Sequence, residues 1–120
     1  MVERAQSDAL SVVFKAVSDP TRRTILTLLA QNGPMRVTDI HRQFDLSLNS
    51  VSKHIKVLER AGLVARRTDW REHLIELNMA PLSEVDDWFA TLRSIWEIRL
   101  DALETLVTQG PKDKGASDHD

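Results

Sequence analysis

The segment from Ser47 to Gly62 constrains this chain more than any other. Ser47 can cap a helix by accepting a hydrogen bond from an amide with no intrahelical partner, and Gly62 supplies the left-handed residue at which helices end. Between them Leu48, Val51, Ile55 and Leu58 recur at helical spacing and form an inward stripe. Asn49, Ser50, Ser52, Lys53 and Lys56 fall off that stripe, so the free face is polar and partly basic. Just upstream, Val37, Ile40 and Phe44 predict a short helix, and Asp45-Leu46 a tight connection. Two helices joined by so few residues, the second polar on its free face, fit a helix-turn-helix better than a bundle hairpin.

The flanking segments extend this unit. Leu10, Val13, Phe14 and Val17 predict a first helix over about residues 7–17. Asp19-Pro20 then starts a second helix, since Asp caps free amides and Pro at the first helical position loses no hydrogen bond. Ile25, Leu26, Leu28 and Leu29 make that helix mostly buried, and Asn32-Gly33-Pro34 stops it. After Gly62, residues 63–68 and 72–77 flank Asp69-Trp70-Arg71 and read as a hairpin, though its turn lacks the Gly that a two-residue loop prefers.

Pro81 opens a long last helix whose apolar face includes Leu82, Val85, Trp88, Phe89, Leu92, Ile95, Trp96, Leu103 and Leu106, widened by Ile98, Leu100 and Val107. So wide a stripe exceeds the needs of a small core, so part of it is expected to meet a second copy of the chain. Trp88, Leu92, Ile95, Trp96 and Leu103 are the expected dimer-interface residues, divided between core and partner. The fold expected is mainly α with a small β-hairpin, over residues 1–109, followed by a disordered tail at 110–120 poor in apolar residues.

Without cysteine there is no disulfide framework, thiolate metal site or cysteine nucleophile. The start has no apolar signal core and no stretch is apolar enough to span a bilayer, which predicts a soluble cytoplasmic protein without a membrane partner. The net charge of −2 hides an asymmetry. Residues 36–73 carry eight Arg and Lys against five Asp and Glu, while residues 78–120 carry four against nine. The basic middle is the candidate nucleic-acid face.

The order of elements, together with three sequence blocks, resembles the ArsR-type family of winged helix-turn-helix repressors over about residues 9–107. The blocks are Asp19-Pro20-Thr21-Arg22-Arg23-Thr24-Ile25-Leu26, the run from Ser47 through Lys53-His54-Ile55-Lys56-Val57-Leu58 to Ala61-Gly62-Leu63-Val64, and the hairpin end Leu77-Asn78. The resemblance implies a homodimer joined mainly through terminal helices, holding double-stranded operator DNA with the helix from Ser47 and with the wing. Ser47, Asn49, Ser50, Ser52 and Lys53, near the helix start, are then placed to reach base edges, where Asn suits adenine and Lys suits guanine. Lys56 lies a turn deeper and suits phosphate. In the family a histidine at the place of His54 faces DNA; a half-buried imidazole satisfied by a neighbouring carbonyl accounts for it equally well. Arg66, Arg67 and Arg71 of the wing either straddle the minor groove and phosphates or are ordinary solubilising charge. Trp70, where the family has a small wing tip, either covers the hairpin or lies on the sugar-phosphate edge.

Metal-sensing relatives use cysteines in the short helix or paired His and carboxylates on the last one. Here the short helix offers Val37, Thr38, Asp39 and Ile40, and the long helix has carboxylates but no histidine. Carboxylates alone are poor ligands for soft metals, and Asp118-His119-Asp120 lies in the tail. No metal, cofactor or catalytic residue is expected, the chain falls with the metal-blind members, and any small-molecule effector is unspecified. No Ser-His-Asp set or phosphate-cradling Gly loop points to an enzyme. A winged helix serving only as a protein adaptor is the alternative, and it has no use for the basic cluster Lys53, Lys56, Arg66 and Arg67.

Overall fold

The computed structural model of the chain describes residues 2–108. The elements run α1 (Val2–Val17), α2 (Pro20–Asn32), β1 (Met35–Arg36), α3 (Val37–His41), α4 (Leu48–Arg60), β2 (Val64–Asp69), β3 (Glu72–Leu77) and α5 (Ala80–Thr108). The tail from residue 110, with Asp118-His119-Asp120, lies outside the described residues. The described chain divides into two compact units, one up to Val85 and one from Asp86 onward.

In the first unit the helix boundaries follow from capping chemistry. The Asp19 carboxylate accepts from the Arg22 amide at 3.1 Å, Pro20 sits in the first turn of α2, and Gly33 at φ +77° closes it. Ser47 Oγ accepts from the Ser50 amide at 3.0 Å and starts α4. At the other end the Gly62 amide donates to the Glu59 carbonyl and the Leu63 amide to the Leu58 carbonyl, both at 3.0 Å, with Gly62 at φ +78°. This is a Schellman closure, and its usual apolar contact is supplied by the buried pair Leu58 and Leu63. Helix α1 begins at Val2 rather than near residue 7.

The core gathers Val13 and Ala16 of α1, Ile25 and Leu29 of α2, Ile40 of α3, and Val51, Ile55 and Leu58 of α4. Leu63, Val64 and Ile75 join it from the sheet side. Two expectations are corrected here. Leu26 and Leu28 are only half-buried, so α2 is a one-sided helix rather than a mostly buried one. Leu48 is 44% exposed: as the first residue of α4 its side chain leans back beyond the last turn that the core covers.

The strands form an antiparallel sheet in the order β1-β3-β2. The hairpin register runs from Val64↔Leu77 to Asp69↔Glu72, leaving Trp70-Arg71 as a two-residue loop. Strand β1, pairing Met35 with Ile75 and Arg36 with Leu74, makes a three-stranded sheet of the expected hairpin. Its two residues are too short to show any alternation. Trp70 takes the loop position that favours glycine, at φ +64°, the one positive φ among described non-glycine residues.

Asn78 joins three segments of this unit. Its amide donates to the Leu63 carbonyl at 2.8 Å, its Nδ2 to the Gly62 carbonyl at 2.9 Å, and its Oδ1 accepts from the Ala80 amide at 3.2 Å. Leu82 and Val85, in the first turns of α5, are half-buried against the core.

The second unit is the remainder of α5. Every residue from Asp86 to Val107 is exposed in the single chain, including Trp88, Leu92, Ile95, Trp96 and Leu103, at 43–60%. The rings of Trp88 and Phe89 meet edge to face, with centroids 5.0 Å apart. No helix among the described residues is long and apolar enough to cross a membrane.

Candidate nucleic-acid interface

At about 100° per residue the polar side chains of α4 fall into three strips around the buried line Val51, Ile55 and Leu58. Directly opposite the core lie Asn49, Lys53, Lys56 and Arg60, all exposed. Ser52 and Glu59 occupy one flank; Ser50 and His54 occupy the other. Among the described residues Lys53, Lys56 and Arg60 have no acidic partner. The strip is thus a row of uncompensated cations beginning at a capped helix start, where Ser47 spends its oxygen on the cap. Arg60 continues the spacing of Asn49, Lys53 and Lys56 and was missed in the sequence, although that spacing was there to extend.

The Ser52 flank faces the wing. Glu59 Oε1 accepts from Arg66 Nε at 3.2 Å, tying the hairpin to α4. The register places Arg66 across from Ile75 and Arg67 across from Leu74, so the two arginines leave opposite faces of the ribbon. Arg67 is itself paired with Glu76 at 2.9 Å. Arg71 has no acidic partner among the described residues, and its guanidinium lies 5.9 Å from the Trp70 ring centroid. Trp70 does not cover the hairpin, because it is 85% exposed.

The other flank faces α2. His54, with its side chain 22% exposed, has Nδ1 at 3.1 Å from Arg22 Nη1 and 3.9 Å from Asp19 Oδ2. Its neighbour within the chain is therefore a guanidinium, and not the carbonyl of the half-buried alternative. Arg22 is anchored independently, donating from Nε to the Ala16 carbonyl at 2.7 Å and from Nη2 to the Lys15 carbonyl at 3.2 Å. Partial burial works to raise the Asp19 carboxyl, but the hydrogen bond from the Arg22 amide, then the electrostatic attraction of the neighbouring His54 ring and Arg22 guanidinium, outweigh it and hold the group below its ordinary 3.8. Sequence reasoning missed Arg22, since no periodicity brings the first turn of α2 to the middle of α4.

Two other histidines are spent locally. His41 Nε2 donates to the Leu46 carbonyl at 2.8 Å and braces the turn between α3 and α4. His73 Nδ1 lies 3.4 Å from Thr68 Oγ1 across the hairpin. Among the described residues no three His, Asp or Glu side chains are grouped to hold a metal ion. A cleft of about 430 Å³ is lined by Ala9 and Val12 of α1, Arg60 and Gly62 at the end of α4, and Pro81 and Glu84 of α5.

A helix-turn-helix that presents a basic strip beside a two-stranded wing has known counterparts. The profile of a helix-turn-helix domain family matches residues 17–67. The transcriptional repressor SdpR of Bacillus subtilis is 38% identical over 76 residues, which span 63% of this chain and 83% of that protein. The crystal structure of an ArsR family transcriptional regulator superimposes with a TM-score of 0.70 at 33% identity, covering 76% of this chain and 93% of that one. This chain belongs to the ArsR family. Another ArsR-like fold, the homodimeric winged helix-turn-helix DNA-binding domain Mb0332 of Mycobacterium bovis, has a TM-score of 0.59 at 26% identity, covering 83% of this chain and 89% of that one. As an ArsR-family protein the chain is a DNA-binding transcriptional regulator. In ArsR terms α3 and α4 are the helix-turn-helix, α4 its recognition helix, and β2–β3 the wing.

Proposed function

We propose that this ArsR-family chain is a cytoplasmic repressor that occupies a near-palindromic operator as a homodimer and so denies the promoter to polymerase. The observation that carries the reading is the uncompensated strip Asn49, Lys53, Lys56 and Arg60 on α4, held rigidly outward by a buried stripe on the same helix. Asn49, Ser50 and Lys53, in the first two turns, read base edges in the major groove, with Ser47 and Ser52 beside them. Lys56, Arg66, Arg67 and Arg71 anchor on phosphates. The exposed apolar stripe of α5, with Trp88, Leu92, Ile95, Trp96 and Leu103, meets its equivalent on a second copy. Burying each such side chain contributes about 1.5–3 kcal/mol, enough in sum to offset an association cost of about 4–15 kcal/mol. Two-fold symmetry then sets half-site centres roughly 10 base pairs, or a multiple of a helical turn, apart. Control is by protein level or by a small molecule in the cleft beside Arg60 and Glu84, and not by metal.

The test is affinity against salt for Asn49→Ala and Arg67→Ala, each on a duplex selected from a random library and on a scrambled one. Loss of Asn49 should cost on the order of 1–3 kcal/mol on the selected site alone. Loss of Arg67 should weaken both duplexes and lower the salt slope by at most about one unit. The reading fails if neither substitution changes binding, and its dimer fails if sedimentation finds a stable monomer at micromolar concentration.

A further inference from the structure

The flank of α4 turned toward α2 carries a contact whose proton arrangement is dictated by chemistry. Arg22 is always a donor and never an acceptor, so its approach to His54 Nδ1 at 3.1 Å requires an unprotonated nitrogen there. A proton on Nδ1 would point one cationic donor at another, and the Asp19 carboxylate, 3.9 Å away, is too far to accept it. In this arrangement His54 carries no proton on Nδ1, and the proton of the ring is on Nε2. That nitrogen has no hydrogen-bond partner among the described residues, and no unpartnered side-chain nitrogen or oxygen among them is buried, so it meets solvent. The cause runs from Arg22 to His54 rather than the reverse, because the guanidinium is already fixed by two carbonyls at the end of α1, where the helix concentrates partial negative charge.

We infer that Arg22 is a positioning residue, which locks His54 as the neutral Nε2–H tautomer so that the recognition helix presents one uncharged donor to a DNA phosphate. This rests on α4 being the DNA face. It differs from the contacts of Lys53 and Lys56 in a measurable way. A neutral donor strengthens binding by a hydrogen bond and displaces no counterion, so its contribution does not change with salt.

The amide of Gln places a donor where imidazole has Nε2, and that of Asn places one where it has Nδ1, so the pair distinguishes the tautomers. On a duplex selected from a random library, His54→Gln should bind within about threefold of the original, and His54→Asn roughly tenfold more weakly, the loss of about one hydrogen bond. Neither should alter the salt slope. Long-range proton–nitrogen NMR of the original protein should show His54 unprotonated at Nδ1 and protonated at Nε2, and Arg22→Ala should convert this to a tautomer mixture while weakening binding like His54→Asn. Thermal melts accompany each variant, and the Gln and Asn pair, with Arg22 intact, decides the matter even if Arg22→Ala does not fold. Equal binding by His54→Gln and His54→Asn, a slope lower by about one unit in both, or a protonated Nδ1 in the spectrum overturns the inference. Asn49→Ala and Lys53→Ala are measured alongside. If both bind normally the DNA face itself is misplaced and the inference falls with it; if both are impaired, a failure belongs to the tautomer alone.

Discussion

The recognition helix and the wing are built in opposite ways. Helix α4 buries Val51, Ile55 and Leu58 completely and leaves Lys53, Lys56 and Arg60 without acidic partners among the described residues. The wing buries only Val64 and Ile75 near its base, is exposed from Ala65 to His73, and ties Arg66 and Arg67 to Glu59 and Glu76. A group that must distinguish one base edge from another has to be held by packing, because a small displacement loses the hydrogen bond. On the wing, exposed carboxylates rather than packing hold the arginines, Glu59 beside Arg66 and Glu76 beside Arg67. The difference teaches that α4 is fixed by the core, whereas the arginines of the hairpin are held by exposed ion pairs.

The strongest way to break this contrast is to hollow out the support of the helix. Ile55→Ala should cost about 2–5 kcal/mol of stability, as expected for deleting a fully buried branched side chain, whereas Thr68→Ala on the wing should stay within about 0.5 kcal/mol. Chemical denaturation of both variants checks it, and similar losses at the two positions would abolish the distinction.

That prediction depends on parts of the molecule that were plain in the sequence. The cap at Ser47, the spacing of Val51, Ile55 and Leu58, the stop at Gly62 and the start at Asp19-Pro20 are local rules, each complete within a few residues. What escaped was non-local or too short to carry a pattern. Strand β1 has two residues, Arg22 meets His54 from 32 positions away, and the pairing of Arg66 with Glu59 depends on how the hairpin packs on α4. Leu48 was misplaced because spacing says which side of a helix a residue occupies and not how far the core extends along it.

A second test sharpens the comparison through acid. Asp19 caps α2 beside the recognition helix, and its carboxyl is held below 3.8 in the folded chain. Its contribution is therefore complete above the unfolded value and is lost as pH falls through the lower folded one. Asp19→Ala should cost about 0.5–2 kcal/mol at neutral pH and progressively less below pH ~3.8. Melting curves recorded from pH 7 down to 2 decide it; a loss that stays constant across that range contradicts the assignment.

On the wing side the corresponding probe is strain. Trp70 occupies a positive φ that a bulky side chain resists, so Trp70→Gly should raise stability by roughly 0.5–1 kcal/mol after the entropy cost of glycine is subtracted. A lower melting temperature would mean that the ring supports the hairpin despite its exposure.

The smallest expected effect concerns the paired arginines. Glu76→Gln should leave stability within about 0.5 kcal/mol, since the ion pair is exposed, yet strengthen binding to scrambled DNA at low salt by freeing Arg67. Fluorescence anisotropy with a labelled duplex measures it, and unchanged affinity would mean that Arg67 does not reach DNA.

Asn78 uses its backbone amide and both ends of its side chain to join the close of α4 to the start of α5. Asp offers no donor to the Gly62 carbonyl and would set a negative charge against it. Gln carries the same groups one methylene too far. Ser and Thr have a single oxygen to serve two partners. Random substitution has almost nowhere to go at this position. In a library selected for folding alone, without any DNA present, Asn78 should be among the surface residues least free to vary.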